Sequence, residues 1–422
     1  MERFAIVGFG CAGCHALKAL RAAGCSAAVD VYSDTGLPPY NPMLTTYYVK
    51  GKIPYEAMFP FGSMEQLKQE LSFTLFDQCT AASIDAGART LRRTDGTVQT
   101  YDKILVSTGA RAFVPPVGTL PDERIFSMRS VEDAVRLKEA LAAGTLRRVL
   151  VVGASMVGIK IVELLEERGI EVVLSDLAPH IFPTAAFAET SRRIEGELRE
   201  RGIVLRFGEK TTGACEQDGR AEVSFSGGDR EIVDAVVVCI GTRTALDCLA
   251  PEQVEIDRGV VVDEHMQTSV PDLFAAGDCC QGRDLSIEGT RLIGLWANAV
   301  CQGETAGKNM AGLDAAYPGN LLHNITHFMD MDFVSFGDKS LPGERRVFVD
   351  KGRQYAEATI SDGRVRCINL LNLFKNSGAV KNYMLRALYR HDTPADAQMK
   401  AVLLKSGLPR ELTELLMGGE GT

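Results

Sequence analysis

Residues 8–17 read GFGCAGCHAL and offer two different chemistries. Gly8, Gly10 and Gly13 have the spacing of a loop that wraps a dinucleotide pyrophosphate, whereas Cys11 and Cys14 have the C-x-x-C spacing of a redox or metal pair. In such a loop glycine comes first for a tight turn, next so that backbone can approach the phosphates, and last for close helix–strand packing. A bound pyrophosphate would face backbone rather than sulfur, which favours a structural role for both thiols. Cys279 and Cys280 are adjacent, poor geometry for sharing a tetrahedral metal, and read as small residues beside the ligand site. His323 and His327 stand at i, i+4 in HNITHFMDMDF, but the β-branched and aromatic neighbours predict a strand, so no metal site is expected.

The elements that carry these residues repeat. RFAIVGFGCAGCHALKALRAAG at 3–24 is echoed by RVLVVGASMVGIKIVELLEERG at 148–169, with Gly8 and Gly153, and Gly13 and Gly158, each separated by 145 positions. Both copies run apolar strand, glycine loop, amphipathic helix, second strand; two such βαβ starts predict two dinucleotide-binding domains. Ser155 stands at the centre of the second loop, where backbone approach is expected to be less close. Acids follow the second strands, Asp34 and Asp176, where a carboxylate can accept from ribose hydroxyls. For Asp34 an ordinary solvated turn acid is the other reading, since Ser33 holds the more usual place. Leu177 and Ala178 follow Asp176, so no cation receives a 2′-phosphate, and NADH is favoured over NADPH.

A chain of 422 residues, 45% of them hydrophobic, calls for several domains. Its formal net charge of −9 argues against nucleic acid or an anionic membrane as partner. The first residues read as an immediate strand, RFAIVGFG, so no targeting segment is expected, and no run of about 18 apolar residues occurs; with 11 scattered cysteines that read as free thiols, a cytoplasmic location is expected.

Two further segments, YDKILVSTGARAFVPP at 101–116 and VPDLFAAGDCC at 270–280, join the two loops in an order that resembles the FAD-dependent pyridine nucleotide-disulfide oxidoreductases, which include ferredoxin and rubredoxin reductases and NADH oxidases. The resemblance implies an α/β fold: two Rossmann-like dinucleotide-binding domains, the NAD domain inserted into the FAD domain, and a C-terminal α+β interface domain. The segments would be 1–115 and 243–320 for FAD, 116–242 for NAD and 321–422 for the interface. Gly8, Gly10, Ala12 and Gly13 would hold the FAD pyrophosphate, Asp34 its ribose, and Ala81 the adenine through backbone. Thr45, Thr108 and Gly109 would lie by the flavin nucleotide, Gly277 and Asp278 would bind ribityl and phosphate, and Trp296 and Ala297 would flank the isoalloxazine. Gly153, Ser155, Gly158, Asp176 and Gly241 would serve NAD. Independently of the resemblance, Asp278 follows the small-residue turn AAGD at a strand end, where doubly wound sheets bind ligands. Trp296, the sole tryptophan, has core packing as its alternative.

The chain departs from this family twice. Its disulfide-reducing members carry a C-x-x-x-x-C pair after the first acid, but no cysteine occurs here between Cys25 and Cys79. Many relatives also carry P-x-L-S-K and G-L-E, a lysine and a glutamate that pair beside flavin N5; here PMLTT and GIK put Thr46 and Lys160 at those places. A cation about 4 Å away is worth up to roughly 4 kcal/mol at an effective dielectric of about 20, so Lys160 is expected to raise the flavin potential, against the alternative of a lysine reaching outward to solvent.

Hydride exchange between NADH and FAD needs no side-chain nucleophile, and with the thiols missing and no iron–sulfur spacing present, electrons are expected to pass to or from a separate iron–sulfur protein or complex subunit. Relatives of that kind are FAD subunits of multisubunit dehydrogenases, among them tungsten aldehyde oxidoreductases and phenylglyoxylate dehydrogenase. The alternatives are a freestanding ferredoxin or rubredoxin reductase, an NADH oxidase, or an NADH-sensing interaction protein. VKNYMLRALYRH and AQMKAVLLKSGLPRELTELLMGG near the C-terminus are amphipathic helices whose Leu and Met face could pack internally, form a homodimer or dock a partner.

Overall fold

In a computed structural model that describes residues 2–77, 81–116, 118–390 and 397–417, the chain forms two compact units, Met1–Arg111 with Thr242–Asn320 and Ala112–Gly241 with Leu321–Thr422. The framework begins with β1 (Arg3–Val7), α1 (Cys11–Ala22), β2 (Ala28–Tyr32), β3 (Thr74–Phe76), β4 (Lys103–Val106), β5 (Ile125–Ser127), β6 (Arg148–Val152), α2 (Met156–Glu166) and β7 (Glu171–Asp176). It continues through β8 (Val204–Phe207), β9 (Ala235–Val238), β10 (Leu273–Ala275) and α3 (Trp296–Met310). The C-terminal part holds β11 (His323–Phe328), β12 (Met331–Gly337), β13 (Glu344–Lys351), β14 (Gln354–Ser361), β15 (Arg364–Leu371), α4 (Ser377–Arg390), α5 (Ala397–Lys405) and α6 (Arg410–Leu416).

The first unit is built on a parallel sheet of order β10-β4-β1-β2-β3. Phe4 to Val7 and Ile104 to Val106 are buried on both faces, the unbroken apolar run that parallel strands require when helices cover them. Helix α3 lies along α1 at very short range. A Cβ at Gly303 would fall 2.3 Å from the Ala12 carbonyl oxygen, and one at Gly307 would fall 2.2 Å from that of Ala16. Those two glycines, one turn apart, let the backbones touch. Because both series of partners advance in the same direction, the helices run parallel and start at the same end of the sheet.

The second unit contains a parallel sheet of order β8-β7-β6-β9-β5 and an antiparallel sheet of order β11-β12-β15-β14-β13. Buried polar groups join them. Asn369 accepts from the Phe187 N–H at 2.7 Å and donates to the Ala185 carbonyl at 3.1 Å, while Glu357 accepts from the Thr190 N–H at 3.1 Å and its hydroxyl at 2.6 Å. Each group is thereby satisfied where water cannot reach it. Helices α4 to α6 cover the antiparallel sheet: Val380, Tyr383, Met384, Leu403, Leu412 and Leu416 are buried against Leu321, Val334, Phe336, Ile368 and Leu370. The amphipathic faces at the C-terminus thus pack internally, the first of the three uses open to them. His391, Gly418 and Gly419 of those two segments lie outside the described residues. No helix among the described residues is long and apolar enough to cross a membrane.

Candidate functional site

In the first loop, the Gly8 N–H donates to the Tyr32 carbonyl at 2.9 Å. Gly8 has φ +98°, and a Cβ there would lie 2.4 Å from the Ser107 carbonyl oxygen. At Gly13 a Cβ would meet the Gly8 carbonyl oxygen at 2.3 Å. Gly10 is different: nothing among the described residues lies within 4 Å of a Cβ there, and its backbone is extended, with φ −87° and ψ −157°. Its missing side chain therefore serves no protein contact and leaves space above the start of α1. Gly10 is also the N-cap of α1, which has no side-chain cap and no acid in its first turn. Free N–H groups at a helix start, with the positive end of the dipole and room for backbone approach, fit a pyrophosphate.

Helix α3 begins at Trp296 beside α1, also without a side-chain cap, and Cys11 Sγ lies 3.8 Å from the Trp296 carbonyl oxygen. Two uncapped helix starts thus lie together at the carboxyl end of the sheet. Ala12 is buried there, and a Cβ at Gly277, φ +86°, would approach the Ala12 Cβ to 3.0 Å. Asp278 follows, half-buried, past the end of β10. At the end of β4, Thr108 donates to the Ala245 carbonyl at 2.5 Å, and Gly109, φ +70°, accepts from the Ala245 N–H at 3.0 Å. Trp296 is half-buried and stacks on Phe61, centroids 5.9 Å apart, while Ala297 is exposed. Ala81 opens the strand Ala81–Asp85 and is half-buried. Buried Thr45 turns its hydroxyl to the Pro42 carbonyl at 2.7 Å, and Thr46 turns its own to Met43 at 3.4 Å. These hydroxyls serve their own turn.

In the second unit, a Cβ at Gly153, φ +110°, would lie 2.4 Å from the Cys239 carbonyl oxygen, and one at Gly158 would lie 2.0 Å from that of Gly153. The centre departs from the first copy. Ser155 caps α2, accepting from the Gly158 N–H at 3.1 Å and donating to the Cys239 carbonyl at 2.8 Å. Asp176 accepts from the Ala154 N–H at 2.7 Å and the Ala178 N–H at 2.8 Å, so its carboxylate holds the loop in shape. Gly241 has φ +104°, accepts from the Phe113 N–H at 3.0 Å and is exposed.

Register separates the two acids. Gly153 donates to Ser175 at 2.7 Å as Gly8 donates to Tyr32, which puts Asp176 level with Ser33 and leaves Asp34 one residue beyond. Ser33 is buried and accepts from the Gly36 N–H at 3.2 Å. Asp34 is exposed, 3.9 Å from Arg111.

The thiols are disarmed by burial. It pushes Cys11 up to about 12 and Cys14 up to about 11. Cys279 and Cys280 are buried, raised in the same way, and donate to carbonyls, Cys279 to Ala276 at 3.3 Å and Cys280 to Gly277 at 3.5 Å. His323 and His327 lie on a strand, β11, with separate partners. His323 faces the Leu321 carbonyl with Nδ1 at 3.1 Å and Lys381 with Nε2 at 3.1 Å, and burial lowers it to about 4. His327 pairs with Asp332. No cluster of three or more His, Cys, Asp or Glu suited to a metal occurs among the described residues.

Lys160 does not reach outward. Its Nζ donates to Glu163 Oε2 at 3.2 Å and to the His327 carbonyl, and the buried Glu163 accepts in turn from the Met329 N–H at 2.7 Å. The sequence reading missed Glu163 although its i, i+3 spacing was visible. It also missed the G-x-x-x-G of α3 and a buried amide group around Gln302 and Asn298, which no spacing announces.

The pyridine nucleotide-disulphide oxidoreductase family matches residues 2–303. The chain is similar to the epsilon subunit of NADH-dependent phenylglyoxylate dehydrogenase from Aromatoleum evansii, 25% identical over 391 residues that cover 91% of each chain. It is also similar to an NADH oxidase from Methanocaldococcus jannaschii, 24% identical over 340 residues, 79% of this chain and 76% of that one. Among solved structures, a water-forming NADH oxidase from Lactobacillus brevis bound to NADH shares the fold, with TM-score 0.89 and 22% identity over 99% of this chain and 98% of that one. A match over well more than half its length, on a chain that builds two glycine loops at the ends of two parallel sheets, makes this protein a member of the pyridine nucleotide-disulphide oxidoreductase family, an FAD-dependent enzyme linked to NAD(H).

Proposed function

We propose that this chain is the flavoprotein component of a larger electron-transfer system, exchanging electrons between NAD(H) and a separate iron–sulfur protein or partner subunit. One observation carries the reading. The cysteines around the first loop, Cys11, Cys14, Cys279 and Cys280, are held as protonated thiols by burial, so none of them offers a thiolate to take electrons onward within the chain. FAD supplies the conversion between hydride transfer with the nicotinamide and single-electron transfer with the partner. The protein's part is to bind and orient. Gly10 and the first-turn N–H groups of α1 would receive the pyrophosphate, Asp278 would accept from hydroxyls of the same nucleotide, and Asp176 would hold the second loop ready for NADH. The likeness to a dehydrogenase subunit along 91% of both chains supports membership of a complex.

The similar oxidase from M. jannaschii favours a second reading, in which oxygen takes the electrons. Anaerobic reduction by NADH, followed by mixing with ferredoxin, rubredoxin or oxygen, separates the two: reoxidation by an iron–sulfur protein at least tenfold faster than by air-saturated buffer is expected. Faster reoxidation by oxygen overturns the proposal, as does a flavin that NADH fails to reduce.

A further inference from the structure

Gln302 is fully buried in α3, far along the chain from either glycine loop. Its Oε1 accepts from the Gly277 N–H at 2.9 Å and lies 3.7 Å from Cys280 Sγ, whose one S–H goes to the Gly277 carbonyl. With Oε1 fixed by the Gly277 donor, the amide orientation is determined. Its Nε2 then has no hydrogen-bond partner among the described residues. The fold nonetheless reserves room for it, since a Cβ at Gly282 would fall 2.5 Å from Nε2.

A buried amide with an idle donor end is costly, and an apolar side chain of the same length would avoid that cost. What such a side chain could not do is satisfy Gly277. That residue sits at φ +86°, its backbone against Ala12 of the first loop, and its N–H is buried. Left unpaired, it would draw the turn out of place, and Asp278 with it.

We propose that Gln302 is a positioning residue for FAD: through its side-chain oxygen it fixes the Gly277–Asp278 turn against the first glycine loop, so that Asp278 is set to accept from the nucleotide before it binds. The inference rests on the reading of Gly277 and Asp278 as part of the FAD site.

The test is FAD titration of the flavin-stripped, full-length protein, followed by flavin fluorescence, together with the thermal midpoint of each stripped protein. Gln302→Met removes the acceptor at constant length and raises the FAD Kd at least tenfold. Gln302→Glu keeps an oxygen facing Gly277 and, held protonated by burial, brings no charge to the place, so it stays within about threefold of the unaltered protein. Equal affinity of Gln302→Met and the unaltered protein overturns the proposal. So does an equal loss in both variants, or a loss that merely follows the thermal midpoints. If Gln302→Met does not fold, Gln302→Glu decides alone: retention of affinity supports the proposal and a tenfold loss overturns it. If the unaltered protein takes up no FAD at all, the flavin site itself falls, an outcome distinct from any difference among variants.

Discussion

The loops at 8–13 and 153–158 are alike at their ends and unlike at their centres. At the ends, glycine is enforced by the protein's own backbone, with carbonyl oxygens 2.0 to 2.4 Å from where a Cβ would be. At the centre of the first loop, nothing among the described residues requires glycine, and the helix start stands uncapped. In the second, Ser155 supplies its own cap and ties itself to Cys239. Fold sets the end residues, and on the proposed reading the ligand would set the middle one. A loop left open at its centre suits a cofactor held throughout the enzyme's life, and a loop that completes itself suits a substrate that comes and goes.

The largest effects should fall equally on both loops. Gly8→Ala and Gly153→Ala each drive a methyl into a carbonyl at positive φ, and urea unfolding should register about 3–5 kcal/mol for each; a marked inequality would break the likeness of the ends. The centres should then diverge. Gly10→Ala leaves the stripped protein as stable as before but weakens FAD binding roughly 5- to 150-fold, the equivalent of about 1–3 kcal/mol of overpacking. Ser155→Ala, by contrast, costs about 1 kcal/mol of stability from the lost cap. If FAD affinity ignored Gly10→Ala, the open centre would have no ligand to explain it.

Smaller shifts sharpen the same contrast. If residue 160 serves the flavin as the family resemblance implies, Lys160 would bring Glu163 with it as a nearly neutral pair. Lys160→Met should lower the flavin midpoint and Glu163→Gln should raise it, each by tens of millivolts at about 59 mV per 1.4 kcal/mol, while the double variant returns close to the start. Additive shifts would mean that the two charges act independently. Least of all should the thiols of the first loop matter below alkaline pH. With Cys11 raised to about 12 and Cys14 to about 11, alkylation by iodoacetamide should climb only as pH approaches those values. Fast labelling at pH 8 would show that a thiolate is exposed there after all.

Much of this was legible in the sequence because glycine sterics and strand periodicity are local. Gly8, Gly13, Gly153 and Gly158 announce their turns through spacing alone, and the β-branched run around His323 and His327 marks β11 as a strand. What escaped depends on tertiary partners. Whether Asp34 or Ser33 stands level with Asp176 is decided by a single hydrogen bond from Gly8. The Leu and Met faces of α4 to α6 were visible as apolar, but amphipathicity does not say which surface will cover it. Gln302 gave no signal, because its partner Gly277 lies in a separate turn and meets it only in the assembled unit. Lys160 reads as a lone cation until Glu163 is placed beside it.

The close seating of α3 on α1 also sets an order of events during synthesis. Residues 3–106 leave the ribosome with Ala12 and Ala16 uncovered and β4 as an unpaired edge. The strand and helix that finish this half, β10 and α3, follow only after the intervening 112–241 has been made. A nascent chain cut short before Gly303 and Gly307 would therefore hold an exposed, half-made first unit, and flavin capture there would wait until the chain has passed Met310, after residues 112–241 have been made.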